Sequence, residues 1–153
     1  MEKLHEQFKC SVHFGSVAFY DSALEFTPEV EFTTESGRRI IVKRDRKVTL
    51  PVGNQVDFVV DFYLNEDIPG NLESTSGHII EGIIAVPSGE LYFQSWVNDI
   101  AWEVAMKKGN YKFYICLSEF DEIFYCYTHC RIFFTETDDP ETNDVKIIKQ
   151  SDR

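Results

Sequence analysis

The fold of this chain is decided by its residues 78–134, which read HIIEGIIAVPSGELYFQSWVNDIAWEVAMKKGNYKFYICLSEFDEIFYCYTHCRIFF. Apolar and polar side chains alternate in short runs here, with the two-residue period of a β-strand that buries one face. Turn-forming residues such as Pro87-Ser88-Gly89 separate the runs. The pattern predicts five successive strands, at residues 79–86, 90–96, 100–106, 111–117 and 123–134.

Outside this stretch, the clearest alternation places Phe58, Val60 and Phe62 on one face of a strand. Asp57 and Asp61 are expected on the opposite, solvated face. Shorter strands are predicted at residues 8–14, 17–20, 30–33, 40–43, 48–50 and 145–148, with a tight turn between two strands at 35–37. About ten strands joined by short turns predict an all-β chain, namely a single-domain antiparallel β-sandwich with at most one short helix.

The length of 153 residues predicts one domain over residues 1–153. Residues 65–77 are rich in Gly, Pro, Ser, Asn and acidic residues, and they predict a long exposed loop. The one short helix is expected in this loop or near residues 21–24. Residues 135–153 are acidic and polar, and they predict a partly frayed tail.

The formal net charge is −11, with a sequence pI near 4.7. This charge argues against nucleic acid as a direct ligand, because phosphate contacts need a basic surface, and it favours a basic protein partner. No run is long and apolar enough to span a membrane, and the first seven residues do not resemble a secretory signal. We therefore expect a cytoplasmic protein with reduced cysteines and no cofactor. The oligomeric state is left open.

The segment from Cys126 to Cys130, which includes His129, resembles a metal-binding motif at first sight. On a strand, however, the two cysteines would lie roughly 13 Å apart, too far to share one tetrahedral zinc. The same spacing separates Asp57 from Asp61, so these acids do not form a glycosidase pair. Cys116 has no activating neighbour in the sequence and is expected to be a structural thiol.

The only basic cluster consists of Arg38, Arg39, Lys43, Arg44, Arg46 and Lys47. It has two interpretations. It could present a β-hairpin to nucleic acid, or it could be a charged strand edge that prevents aggregation. The overall acidity favours the second.

The strand at 123–134 has an outward face of aromatic and charged residues, with acidic residues before and after it. Tyr and Arg are frequent anchors of protein interfaces, and carboxylates suit a basic partner. The alternative is that a second layer or a loop covers the tyrosines. The predicted partner-binding residues are Glu119, Asp121, Glu122, Tyr125, Tyr127, His129, Arg131, Asp138 and Asp139.

One resemblance involves residues 83–87, the turn and strand from Gly89 to Ser95, the triplet at 102–104, residues 108–113, and the opening segments at 13–14 and 19–21. These segments resemble the bacterial DNA-entry nuclease inhibitor family (competence protein J). The resemblance implies a small, acidic, cytoplasmic bacterial protein that binds and neutralises a nuclease, or an immunity protein directed against a toxin. The chain departs from the family pattern in its loop at 65–77 and its acidic C-terminal extension, so no site residue is carried over.

We therefore predict an inhibitor or immunity-type protein, not an enzyme, that neutralises a basic partner protein. The first alternative is a small-molecule or carbohydrate-binding sandwich, in which exposed Trp96, Tyr92 and Tyr114 would stack on a ligand. An enzyme would need a cleft that joins His13 or His78 to two carboxylates. A structural subunit that pairs through an exposed strand edge is the remaining alternative.

Overall fold

The computed structural model describes residues 2–11, 16–25, 41–51, 57–96, 99–123 and 125–151. These residues form eleven strands and one short helix. In chain order they are β1 (Leu4–Ser11), β2 (Ser16–Asp21), β3 (Val42–Arg44), β4 (Lys47–Pro51), β5 (Asp57–Leu64), α1 (Leu72–Thr75), β6 (His78–Val86), β7 (Glu90–Trp96), β8 (Asp99–Ala105), β9 (Gly109–Asp121), β10 (Cys126–Thr137) and β11 (Lys146–Lys149).

The strands form two sheets. The six-stranded sheet has the order β1-β5-β10-β9-β6-β11, and the five-stranded sheet has the order β3-β4-β2-β7-β8. The prediction of an all-β sandwich with one short helix is therefore confirmed. One pairing departs from the antiparallel expectation, because β5 and β10 run parallel. Parallel neighbours need a long connection, and here α1 and the strands from β6 to β9 supply it.

The main core lies between the sheets and is rich in aromatic rings. Phe19 and Phe93 come from the five-stranded sheet, while Phe62, Phe113 and Phe134 come from the other, and all five are fully buried. Rings from the two sheets contact each other at centroid distances of 5.9–6.1 Å, mostly in edge-on arrangements. These contacts are favourable for aromatic quadrupoles and fix how the sheets face each other.

A smaller core lies on the outer face of the six-stranded sheet. Leu72, from α1, packs there with Ile79, Cys116 and Phe133. Residues 65–77 are therefore only partly exposed, because the apolar side chain of Leu72 covers the sheet. The four residues of α1 are too few to form a stable helix alone, so this packing contact stabilises the helix.

The acidic tail is held against the body of the protein at two places. β11 pairs antiparallel with β6, close to the strand predicted at 145–148. Glu141 accepts hydrogen bonds from Lys43 Nζ (3.3 Å), Arg46 Nε (2.9 Å) and the backbone N–H of Ala85 (2.9 Å). Two members of the basic cluster therefore share one carboxylate, with Lys43 buried and Arg46 partly exposed. The described residues do not include Arg38, Arg39, or the strand and tight turn predicted at 30–37.

Candidate partner-binding surface

The nine predicted partner-binding residues do not form one surface. Glu119, Asp121, Glu122 and Tyr125 lie around the turn between β9 and β10, whereas Asp138 and Asp139 follow the other end of β10. The 12-residue strand between them spans roughly 36 Å at about 3.3 Å per residue. One small contact with a partner could not include the residues at both ends of β10. Phe124, between these tip residues, lies outside the described residues.

The turn between β9 and β10 projects apolar side chains into solvent. We call its described residues, 119–123 and 125, the hairpin tip. Ile123 is 88% exposed and Tyr125 is 65% exposed. The tip is closed by the Asp121 carboxylate, which accepts a hydrogen bond of 2.8 Å from the backbone N–H of Ile123. β10 begins at Cys126, later than the predicted residue 123, because the chain is still turning at Tyr125, where φ is +54°.

A series of ring contacts connects the tip to the body of the protein. The Tyr125 ring meets Phe120 edge-on at 4.9 Å, and Phe120 meets Tyr127 at 5.1 Å. Tyr127 in turn packs edge-on against His78 at 5.1 Å. Its hydroxyl also fills the space beside Gly77, where an added Cβ would lie only 1.9 Å from that oxygen. The exposed ring of Tyr125 is therefore supported by side chains that are packed in the body of the protein.

Two of the residues expected on the outward face are buried. Tyr127 is covered by the chain before β6, which is the alternative considered above, and it belongs to the main core. His129 is buried on the outer face of its sheet. The prediction that these two side chains line an accessible surface is therefore wrong. Arg131 is half-buried and hydrogen-bonds with the side chain of Tyr63.

His129 belongs to a polar cluster that the sequence did not indicate. Its Nε2 lies 2.6 Å from Asp61 Oδ2, while Asp61 Oδ1 is 3.2 Å from His5 Nε2 and accepts a bond of 2.9 Å from Gln7 Nε2. Asp61 was expected on a solvated face and is in fact buried. Three strands, β1, β5 and β10, bring these residues together, and their pairing cannot be read from local alternation.

The cluster keeps the Asp61 carboxylate charged. Burial alone would raise the pKa of Asp61, but the hydrogen bonds from His129, His5 and Gln7 outweigh burial, and the pKa is lowered. His5 is also stacked on Tyr63 at 4.2 Å, and Tyr63 is stacked on Phe133 at 4.5 Å. These contacts join the outer edge of β1 to the small outer core.

The Nε2 atoms of both histidines face Asp61, and the Nδ1 atom of His129 lies 3.8 Å from Glu119 Oε2, so both ring nitrogens of His129 lie next to carboxylates. Burial raises the pKa of the Cys116 thiol to about 11, which makes it a poor nucleophile. Within the described part of the chain, no group of three or more His, Cys, Asp or Glu side chains could hold a metal ion.

Two of the three aromatic residues proposed for a ligand platform, Tyr92 and Tyr114, lie apart, and the side chain of the third, Trp96, lies outside what the structure describes. Tyr114 is on the outer face of the six-stranded sheet, packed against the small outer core. Tyr92 is in the other sheet and alternates with buried Leu91 and Phe93, so it faces the opposite side of the sandwich. They cannot stack on the same small ligand. The described residues contain no helix long and apolar enough to cross a membrane.

Two solved structures share this fold. The crystal structure of ComJ, inhibitor of the DNA degrading activity of NucA, from Bacillus subtilis, superposes with a TM-score of 0.64 at 13% identity, covering 86% of this chain and 96% of that chain. A structure described as crocagin biosynthetic gene J superposes with a TM-score of 0.60 at 16% identity, covering 89% of this chain and 99% of that chain.

No protein-family model matches the chain, and no curated protein matches its sequence. At these identities the likeness concerns the fold alone, and at that level it confirms the resemblance to the competence protein J family. The nearly full coverage of both chains shows that the likeness extends over the whole sandwich.

Proposed function

We propose that this protein is an acidic, cytoplasmic inhibitor or immunity-type protein of bacterial origin that binds and neutralises a basic partner, namely a nuclease or a nuclease-like toxin. The observation that carries the proposal is the likeness of the whole fold to ComJ, an inhibitor of the DNA degrading activity of NucA. Fold alone does not define function, so the proposal also needs support from charge and site chemistry.

The charge distribution supports a basic partner. The net charge is −11, and the Lys43 ammonium, which pairs with Glu141, adds no positive charge to the surface. Lys43 has a fully buried side chain. A nuclease must hold phosphate and therefore carries a basic cleft. An acidic inhibitor is attracted to such a cleft, and long-range attraction of this kind raises the association rate by 10–1,000-fold at low salt.

The site chemistry supports binding over turnover. Asp61 and His129 are buried and hydrogen-bonded to each other, and the Cys116 thiol has a raised pKa. Cys116 and Cys130 are free thiols, which suits the reducing cytoplasm. We therefore assign no reaction and no cofactor to this chain.

The test is capture of the partner from the organism that encodes the protein. The immobilised protein is exposed to cell extract at low salt, and bound proteins are eluted with a salt gradient and identified. An unrelated acidic β-sandwich of similar net charge serves as the control for simple ion exchange. We expect one basic protein, retained by this chain and not by the control, that degrades DNA when purified. Recovery of no DNA-degrading protein, or of the same proteins on the control, would contradict the proposal.

A further inference from the structure

We infer that the hairpin tip is the surface that contacts the basic partner; this inference rests on the proposed function and deepens it. The first observation is exposure. Among the described residues, four large hydrophobic side chains are exposed, and two of them, Ile123 and Tyr125, lie two positions apart on this tip. Neighbouring exposed apolar groups of this kind are typical of interaction sites, and tyrosine is a frequent energetic anchor.

The second observation is that the tip is held in shape before any partner arrives. The Tyr125 ring rests on Phe120, which rests on buried Tyr127. The backbone of Tyr125 has a φ of +54°, which a bulky residue adopts only where the surrounding structure enforces it. An anchor that is already ordered loses little conformational entropy on binding, so more of the contact energy appears as affinity.

The third observation selects the chemistry of the partner. Glu119 has a side chain that is 72% exposed, and Glu122 is also exposed, so carboxylates flank the apolar pair. Such a tip would be repelled by nucleic acid and by anionic lipid. A second copy of this chain is disfavoured as well, since each carries a net charge of −11. The occupant that fits is a protein cleft lined by Lys or Arg with an apolar floor.

Site-specific photocrosslinking tests this placement. Benzoylphenylalanine is introduced in place of Tyr125 in one variant and in place of Ile147 in another. Ile147, on β11, is a matched control because it is 58% exposed, close to the 65% of Tyr125. The probe is the nuclease captured by the wild-type chain. We expect an adduct with the variant at position 125 and none with the variant at position 147. An adduct at position 147, or none at either position, overturns the inference.

Binding measurements with the same nuclease give a second, independent readout. We expect Tyr125→Ala and Ile123→Ser each to raise the Kd by about tenfold or more. Combined Glu119→Lys and Glu122→Lys should lower the association rate constant by about tenfold. The control is Asp138→Lys with Asp139→Lys, which makes the same change in net charge at the far end of β10 and should alter either constant by less than about threefold.

The outcomes separate the two proposals. Equal losses of binding from substitutions at the two ends of β10 would contradict the placement of the contact at the hairpin tip. So would unchanged binding by the tip variants while the wild-type chain binds the nuclease. Both results leave the proposed inhibitor function intact. Failure of the wild-type chain to bind any nuclease contradicts the function itself. The substituted tip side chains are exposed, so the variants are expected to unfold at the wild-type temperature, which circular dichroism checks.

Discussion

At the scale of single residues, Asp61 is a buried charge held by three side chains. His129, His5 and Gln7 hydrogen-bond to its carboxylate, and the net effect on its pKa is downward. A lowered carboxyl pKa means that the folded state binds a proton less readily than the unfolded chain does. This group therefore stabilises the fold above its unfolded pKa of about 3.9, and its contribution is lost as the pH falls through the folded value.

We predict that Asp61→Asn lowers the free energy of unfolding by about 1–3 kcal/mol near pH 7, because the bonds from His129 and Gln7 lose a charged acceptor. The difference from wild type should shrink as the pH falls through the lowered pKa of Asp61 in the folded state. Urea unfolding over a series of pH values measures it. The control is Asp57→Asn, whose exposed pair with Lys9 should be worth less than about 1 kcal/mol. A pH-independent difference would contradict this account.

A second constrained charge is Lys43. Burial lowers its pKa, and the neighbouring Glu141 offsets part of that effect. The ammonium is fully buried and lies 3.3 Å from the Glu141 carboxylate, so removing that partner would leave a buried charge uncompensated.

We predict that Glu141→Gln destabilises the protein by about 3–5 kcal/mol near pH 7. Adding Lys43→Met to that variant should recover much of the loss, because the uncompensated charge is removed and the apolar stem of the side chain is kept. Chemical denaturation of wild type, the two single variants and the double variant forms a complete cycle. A double variant that is less stable than Glu141→Gln alone would show that the buried charge is not the cause.

At the scale of secondary-structure elements, the pairing of β6 with β9 depends on a glycine. Gly82 lies opposite Phe113, and a Cβ added at Gly82 would be 2.4 Å from the Phe113 ring. The ring is fully buried. Gly70, in the loop before α1, has no atom within 4 Å of an added Cβ.

We predict that Gly82→Ala lowers the free energy of unfolding by about 1–3 kcal/mol, the usual cost of overpacking a core. The matched variant Gly70→Ala should change it by less than about 1 kcal/mol, because alanine there meets open space. Thermal unfolding followed by circular dichroism measures both. Equal effects of the two substitutions would mean that loss of glycine, and not the collision with Phe113, is responsible.

Local alternation predicted most of the strands, because each depends only on its own neighbours in sequence. It could not predict the parallel pairing of β5 with β10, which joins segments about seventy residues apart through long-range packing. For that reason Asp61 was placed in solvent and the contact with His129 was missed. Alternation also failed at Tyr127, which pairs with Phe120 beside Glu119, a residue with a φ of +58°. Of the proposed site, the sequence indicates Glu119, Asp121, Glu122 and Tyr125, whose role stays a prediction. It did not indicate the exposure of Ile123 or the burial of Tyr127 and His129, which depend on the turn geometry and on long-range packing.

At the scale of the whole molecule, three properties bear on the proposed function. The fold is similar to that of ComJ, an inhibitor of the DNA degrading activity of NucA, the overall charge is strongly negative, and an ordered apolar pair projects from an acidic tip. In the proposed function, charge speeds the encounter with a basic protein, and the apolar pair slows dissociation. The buried polar clusters stabilise the sandwich that holds the tip in place.

The most direct measurement is a titration of DNA degradation by the captured nuclease with increasing amounts of this protein. At nanomolar enzyme and low salt, we predict that degradation falls linearly and ends near one chain per nuclease, with recovery of activity as salt is raised. Full DNA degradation in the presence of a large excess of this protein would contradict the central claim.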